Sequence, residues 1–390
     1  MRILHTSDWH LGKVLKGQSR LPEQRAVMRE MTEIARREKP DLVIVAGDLF
    51  ETSAPSALAE GLLYDTLSAL RSTGADVIAI AGNHDNGPAI DALRSWAEAA
   101  GIVVRGKIGT AKDHLVTGTT RDGEPWRCAA LPFVSQRYAV RATEMFELTA
   151  AEADQSYADH VRRLFAALTG GFDNSAVNLV TGHLTVYGSK LGKTEREAHT
   201  VASYNIPATI FPPSTHYVAL GHIHKRQRID GPCPIRYSGG PITVDFGEED
   251  AVPGVLLVDV TVSTPAKVRH VPLTSAVKLR TVRGDLDGLK KDRERIVKID
   301  GDALLRVYIK EKPRAGLREE VQELFPNAIE VRIDPVIFDN ESGKSTARRA
   351  GRSPRELFGD YLTDSGHDDE KVTELFDRLY DEASSEGTAA

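Results

Sequence analysis

The sequence predicts an α/β fold of two packed mixed β-sheets flanked by helices, with α+β structure toward the C-terminal end. Three observations carry that prediction. Up to about residue 110, short apolar runs alternate with stretches of helical spacing, and strands apolar at nearly every position belong to a sheet covered on both faces. The middle of the chain is richer in strand candidates and holds one helix. After Pro272 the pattern changes to short mixed strands, then a polar stretch, then two helix candidates.

In order, RILHTSD is the first strand, and residues 20–38 combine helical spacing with good helix formers. DLVIVAGD is the second strand. Thr52 and Ser53 with Pro55 predict a helix start, running to about Arg71 and stopped by Gly74. DVIAIAGN is the third strand, followed by a helix over 88–99. HLVTG, WRCAALP, AVNLVTGH, THYVALGH, IRYSGG and GVLLVDV are the strands of the middle, with a helix over 153–168. Residues 1–275 thus form the main domain. VKLRTVRGD, LLRVYIK and AIEVRID, with 314–324 helical, make a small α+β domain over 276–338. Residues 339–353 have linker composition. Two helices follow within 354–382. Ser353-Pro354-Arg355-Glu356 caps the first, and Val372, Leu375, Phe376 and Leu379 stripe the second.

Composition narrows the function classes. A 390-residue chain with 41% hydrophobic and 27% charged residues is that of a globular protein of two or three domains. Two cysteines, Cys128 and Cys233, make neither a disulfide framework nor a thiolate metal site, and fit a reducing cytoplasm. Neither a signal peptide nor an apolar stretch approaching the roughly 20 residues of a membrane span is expected. The net charge is −6, of which the segment after Asn340 carries −5. Charge alone therefore does not mark a nucleic-acid binder.

The chemistry lies at the strand ends. Four apolar runs close on glycine followed by a residue able to ligate a metal: Asp48, Asn83, His183 and His222. His224 follows His222 at i+2, and the first strand supplies Asp8 and His10 at the same spacing, which places both side chains of a pair on one face. In α/β sheets, sites form outside the carboxyl ends of strands. The glycines at 47, 82, 182 and 221 let backbone and ligands crowd one point. A lone aspartate after a strand is usually a turn, and a lone histidine is usually inert. Seven in register point instead to two divalent ions sharing a carboxylate. Oxygen and nitrogen donors without thiolate favour manganese, iron or zinc.

The ordered set D-x-H, G-D, G-N-H-D, G-H and G-H-x-H resembles that of the calcineurin-like metallophosphoesterases. MRILHTSDWHLGK, VIVAGDLFETSAPS, GHLTVYGSK and YVALGHIHKRQ are similar to the SbcD family of DNA-repair nucleases, bacterial counterparts of the meiotic-recombination nuclease. The similarity spans about residues 1–250. It implies a metallophosphoesterase sandwich in which Asp8, His10, Asp48 and His224 hold one ion, while Asp48 bridges to a second held by Asn83, His183 and His222. It further implies manganese as the ion, His84 reaching the scissile phosphate, and Asp85 orienting the His84 ring.

The implied activity is hydrolysis of DNA phosphodiesters, as a double-strand exonuclease and single-strand endonuclease acting on ends and hairpins in repair, recombination and replication. The implied partner is SbcC, an SMC-like coiled-coil ATPase docked by the C-terminal helices, around a homodimer within a heterotetramer. The implied location is the cytoplasm, at the nucleoid. Leu58, Leu62, Leu67, Leu70, Ile90, Leu93 and Trp96 stripe two helices; most of them read as ordinary core, and the resemblance implies that some face a partner, since the corresponding helices pair in such dimers. Lys13, Lys16, Arg20, Lys190, Lys193 and Arg196 are candidate phosphate contacts, lying in loops after ligand residues. One departure from the family is Gly240, where serine is usual. Two competing readings are a small-molecule phosphodiesterase or phosphatase of the same superfamily, and a DNA-end-binding scaffold with a dead site. The first has no use for the extra domain and tail; the second requires a missing ligand, and none is missing.

Overall fold

The computed structural model describes residues 1–135, 157–190, 205–337, 353–364 and 370–386. It divides into two units: Met1–Val282 with Arg293–Arg306 and Gln322–Glu330, and Arg283–Asp292 with Val307–Val321 and Val331–Ala390. That division runs through the α+β segment expected over 276–338 and does not fall at its start.

The first unit begins with β1 (Arg2–Thr6), α1 (Leu21–Glu38), β2 (Leu42–Ala46), α2 (Ala57–Arg71), β3 (Asp76–Ile80), α3 (Gly87–Ala92), α4 (Arg94–Ala99) and β4 (Ile102–Arg105). It continues with β5 (Leu115–Thr119), β6 (Pro125–Leu131), α5 (Tyr157–Thr169), β7 (Val177–His183), β8 (Tyr217–Gly221), β9 (Gln227–Ile229), β10 (Ile235–Tyr237), β11 (Gly254–Thr261) and β12 (Thr264–Pro272). Two six-stranded sheets result, in the orders β12-β11-β1-β2-β3-β4 and β9-β10-β8-β7-β6-β5. In the first sheet β1 to β4 are parallel and β11 and β12 add antiparallel at one edge; in the second β10, β8, β7 and β6 are parallel and both edge strands are antiparallel, so both sheets are mixed.

Side-chain alternation explains how the layers stack. Ile3, Leu42, Ile44, Ala46, Ile78 and Ile80 of the first sheet pack in one core with Cys128, Ala130, Val177, Leu179, Tyr217 and Ala219 of the second. The intervening Leu4, Val43, Val45 and Val77 face the opposite way, into a core with Val27, Met31, Leu63 and Leu67 of α1 and α2. Val180, Val218 and Leu220 likewise turn from the sandwich toward Val161, Leu164 and Phe165 of α5. Continuous apolar runs are therefore what these strands need, since each is covered on both sides.

Helix ends differ from expectation in two places. The α2 helix starts at Ala57, because Ser56 is the residue whose hydroxyl accepts the Ala59 N–H; Thr52 to Pro55 lead in. The helix expected over 88–99 is two short helices that meet at Leu93, the first capped by Asn86. Of the helix expected over 153–168, residues 153–156 lie outside the described residues.

Three further strands, β13 (Leu279–Gly284), β14 (Leu304–Ile309) and β15 (Ala328–Ile333), form a sheet in that order. The helix Leu286–Asp300 precedes β14. Its few buried apolar positions, Leu286, Leu289 and Ile296, are too sparse for a readable stripe. The helix Leu317–Leu324 follows, within the predicted 314–324. In the second unit Arg283 pairs with Asp334 at 3.1 Å and stacks over Tyr308.

The expected linker lies almost wholly outside the described residues. Two helices, Pro354–Asp364 and Glu370–Glu386, form a hairpin closed by the stacked rings of Phe358 and Phe376, 4.0 Å apart. The capping box is present: the Ser353 N–H and hydroxyl both donate to Glu356, and the Glu356 N–H donates back to Ser353 Oγ. Among the described residues, no helix is long and apolar enough to cross a membrane.

Candidate metal centre

Each predicted ligand sits just past the carboxyl end of a strand of the first unit: Asp8 and His10 after β1, Asp48 after β2, Asn83 after β3, His183 closing β7, His222 and His224 after β8. The backbone there is contorted. Asp8, His10, Asp48 and His222 have φ of 54, 46, 50 and 95°, in the region side-chain-bearing residues avoid. Such strain persists where the surroundings over-determine it, and it gathers at functional sites. Gly47 is crowded as well as left-handed: a Cβ there would lie 2.2 Å from His183 Nδ1. At Gly82 a Cβ would lie 2.1 Å from Asp48 Oδ1. The strand-end glycines at these positions make room for the ligands, whereas Gly182 abuts Leu184 and Phe165 instead.

The donor atoms converge in two groups. Donor atoms of Asp8, His10, Asp48 and His224 all lie within 4.8 Å of one another, with the Nε2 atoms of His10 and His224 3.0 Å apart. In the other group Asn83 Oδ1 lies 3.0 Å from His183 Nε2 and 2.8 Å from His222 Nδ1. Asp48 stands between them: Oδ2 is 3.6 Å from His10 Nε2 and Oδ1 is 3.4 Å from His183 Nε2. Asp8, His10, Asp48, His183 and His222 are buried. Buried lone pairs of nitrogen and oxygen facing one another without thiolate suit divalent ions of intermediate hardness.

Second contacts hold these groups in place. Asp8 accepts from the His222 N–H and the Ser7 hydroxyl, which also meets Ser238. His183 sets Nδ1 against the Ala46 carbonyl at 2.8 Å. Between the protein's own groups, burial opposes the Asp48 charge, but His183 and His10 hold its carboxyl well below the usual range. Burial equally opposes a charged His183, yet the facing Asp48 raises it to about 9.

His84 and Asp85 follow Asn83. The His84 ring packs edge-on to His10, its Nδ1 is 2.8 Å from the Glu51 carbonyl, and its N–H donates to Asp48 Oδ1. Asp85 takes a different part from the one expected. Its carboxylate accepts the backbone N–H groups of Leu49, Phe50 and Gly82, fastening the loops after β2 and β3, and the ring contact falls to Glu51. Burial, then the neighbouring Asp48 charge, pushes the Asp85 carboxyl up to about 6, against the pull of those three N–H groups.

The calcineurin-like phosphoesterase profile matches residues 1–226, more than half of the chain. The chain is 36% identical over 283 residues to the SbcD component of the Bacillus subtilis SbcCD nuclease, covering 72% of this chain and 71% of that protein. This chain belongs to the SbcD family of calcineurin-like phosphoesterases. The family member of Escherichia coli K12 is 30% identical over 307 residues, 75% of this chain and 74% of its own. A dimetal phosphatase from Danio rerio aligns with 70% of this chain and 96% of its own at 13% identity and a TM-score of 0.44.

The basic residues read from their loop positions as candidate phosphate contacts are less uniform than the ligands. Arg20 leaves that set. It is 2% exposed, paired with Glu23 at 2.5 Å and donating to the Thr243 carbonyl, so its guanidinium anchors the loop before α1. Lys13 pairs with Glu51 at 2.8 Å, and Lys16 with Glu330 at 3.2 Å. Lys190 is exposed, while Lys193 and Arg196 lie outside the described residues.

Two residues at the centre escape a reading of the sequence. Glu51 Oε2 lies 3.0 Å from His10 Nδ1, and Glu248 Oε1 lies 2.7 Å from His224 Nδ1. Glu51 stands three residues after Asp48, and that proximity is a signal of its part. Glu248 is 24 residues from His224, in a segment with no strand-end pattern, and nothing local signals it.

Proposed function

We propose that this chain is the nuclease component of an SbcCD-type complex, a metal-dependent hydrolase of DNA phosphodiester bonds. The observation that carries the reading is Asp48, whose two carboxylate oxygens face two separate donor groups in a chain of the SbcD family. Asp8, His10, Asp48 and His224 would hold one ion, and Asp48, Asn83, His183 and His222 the other. Manganese fits this donor set. Two divalent ions bound there supply polarisation of a water and neutralisation of phosphate oxygens.

The protein's own part centres on His84. With Nδ1 at the Glu51 carbonyl and the ring edge-on to His10, His84 would act on the phosphate or the departing 3′-oxygen, a proton-donor role typically worth 10²–10⁴-fold. Asp85 acts behind it by pinning the loops that carry Asp48 and Asn83. Lys190, Lys193 and Arg196 remain candidates for steering DNA, with Lys13 and Lys16 available if their acidic partners release them.

The partner we propose is the SMC-like ATPase SbcC, engaged through the terminal hairpin, whose Tyr361, Val372, Leu375 and Leu379 are exposed. A homodimer within the heterotetramer would use Leu58 and Trp96. These two are 65% and 40% exposed, whereas Leu62, Leu67, Leu70 and Ile90 of the same stripe are core. The deciding assay compares plasmid DNA with a chromogenic phosphodiester, with and without Mn²⁺. Mn²⁺-dependent nicking and degradation of DNA is expected. Turnover of the small ester alone would favour the phosphodiesterase reading, and inactivity on both would favour a scaffold.

A further inference from the structure

The two proposed metal positions are not built alike. At the first, both histidines present Nε2 inward, and behind each stands a carboxylate: Glu248 hydrogen-bonded to His224 Nδ1 at 2.7 Å, and Glu51 with Oε2 3.0 Å from His10 Nδ1, close but not aligned as a hydrogen bond. Each carboxylate is itself anchored. Glu51 Oε1 takes the Lys13 ammonium at 2.8 Å, and Glu248 Oε2 takes the Val244 N–H at 2.9 Å. At the second position His183 sets Nδ1 against the neutral Ala46 carbonyl, and His222 turns Nδ1 itself toward Asn83.

The difference has a direct electrostatic meaning. A carboxylate behind an imidazole fixes the tautomer with its lone pair inward and strengthens the nitrogen as a donor. It also adds negative charge close to a dication. The first position has Asp8, the shared Asp48 and two backing glutamates; the second has the shared Asp48 and a neutral amide, Asn83.

We infer that Glu51 and Glu248 are positioning residues that make the Asp8–His10–His224 position the tighter of the two, so that the ions load in order and the Asn83–His183–His222 ion enters last. This rests on the two-metal reading above. Glu51 links the ordering to catalysis, because its backbone carbonyl also holds the His84 ring.

The test is calorimetric titration of the full-length, chelator-stripped chain with Mn²⁺ alone. Wild type is expected to bind two ions in steps at least about tenfold apart, and Asn83→Ala to lose the weaker step only. Glu51→Gln and Glu248→Gln should each weaken the tight step by about 10–100-fold, the usual cost of losing such a backing group, and leave the weak step and the melting temperature of the stripped protein in place. Equal affinities in wild type, equal weakening of both steps, or no weakening would overturn the inference. So would a stripped variant that melts well below wild type, since the glutamates would then be structural. Binding of fewer than two ions by wild type would overturn the two-metal reading itself.

Discussion

At the scale of single residues, His84 and Asp85 separate chemistry from support although they are neighbours. His84 touches Asp48 through its backbone and the Glu51 carbonyl through Nδ1, and its ring packs edge-on to the ligand residue His10. His84→Gln is therefore expected to keep both metals and near-normal DNA affinity while turnover falls about 10²–10⁴-fold. A nitrophenyl phosphodiester, whose leaving group needs no proton, should lose much less; equal losses on both substrates would assign His84 to charge stabilisation. Asp85→Ala should behave differently. It strands three N–H donors that now meet a carboxylate, at a cost of about 3 kcal/mol. Denaturant unfolding should register that loss together with weaker Mn²⁺ binding, whereas His84→Gln should unfold at the wild-type midpoint.

At the scale of elements, strand ends are readable from the sequence and contacts between distant segments are not. An apolar run ending in glycine and then Asp, Asn or His is a local pattern, and its meaning follows from sheet geometry alone. Glu248 and His224 meet only because the chain returns after β10, and no periodicity encodes that return. Arg20 shows the reverse error. A basic residue just beyond a ligand pair suggests phosphate, but burial beside Glu23 makes it an anchor. The start of α2 is ambiguous in sequence because Thr52, Ser53 and Ser56 are all good caps, and only the Ser56–Ala59 contact distinguishes them. The terminal hairpin is legible as an amphipathic stripe. Helices of 11 and 17 residues are marginal alone, and here they share the Phe358–Phe376 stack. Deleting everything after Arg352 is expected to spare Mn²⁺-dependent cleavage of single-stranded DNA while weakening association with the ATPase in a pull-down. A collapsed melting temperature with unchanged association would make the hairpin part of the folded body.

At the scale of the whole molecule, the centre ties stability to pH and to metal. Stripped of metal, the protein gains from a charged His183 facing Asp48. With the ring raised to about 9 from an ordinary 6.5, that gain is complete below about pH 6.5 and disappears as pH rises through about 9. The melting temperature of the stripped protein should therefore fall across that window. Protein loaded with Mn²⁺ should show a flatter profile and should release protons on loading at neutral pH, because a ligating imidazole must be neutral. The left-handed backbone at Asp8, His10 and Asp48 carries this conflict further. A residue with a Cβ costs roughly 1 kcal/mol or more there, and glycine does not. Asp8→Gly and Asp8→Ala should thus be equally inactive, yet the glycine variant should melt higher, by about the few degrees that such a difference represents; equal melting would remove the strain argument. Folding by itself would prefer a different residue at the very positions the chemistry occupies. A library screened for thermal resistance alone would drift away from activity, losing the ligands first where the chain is bent hardest.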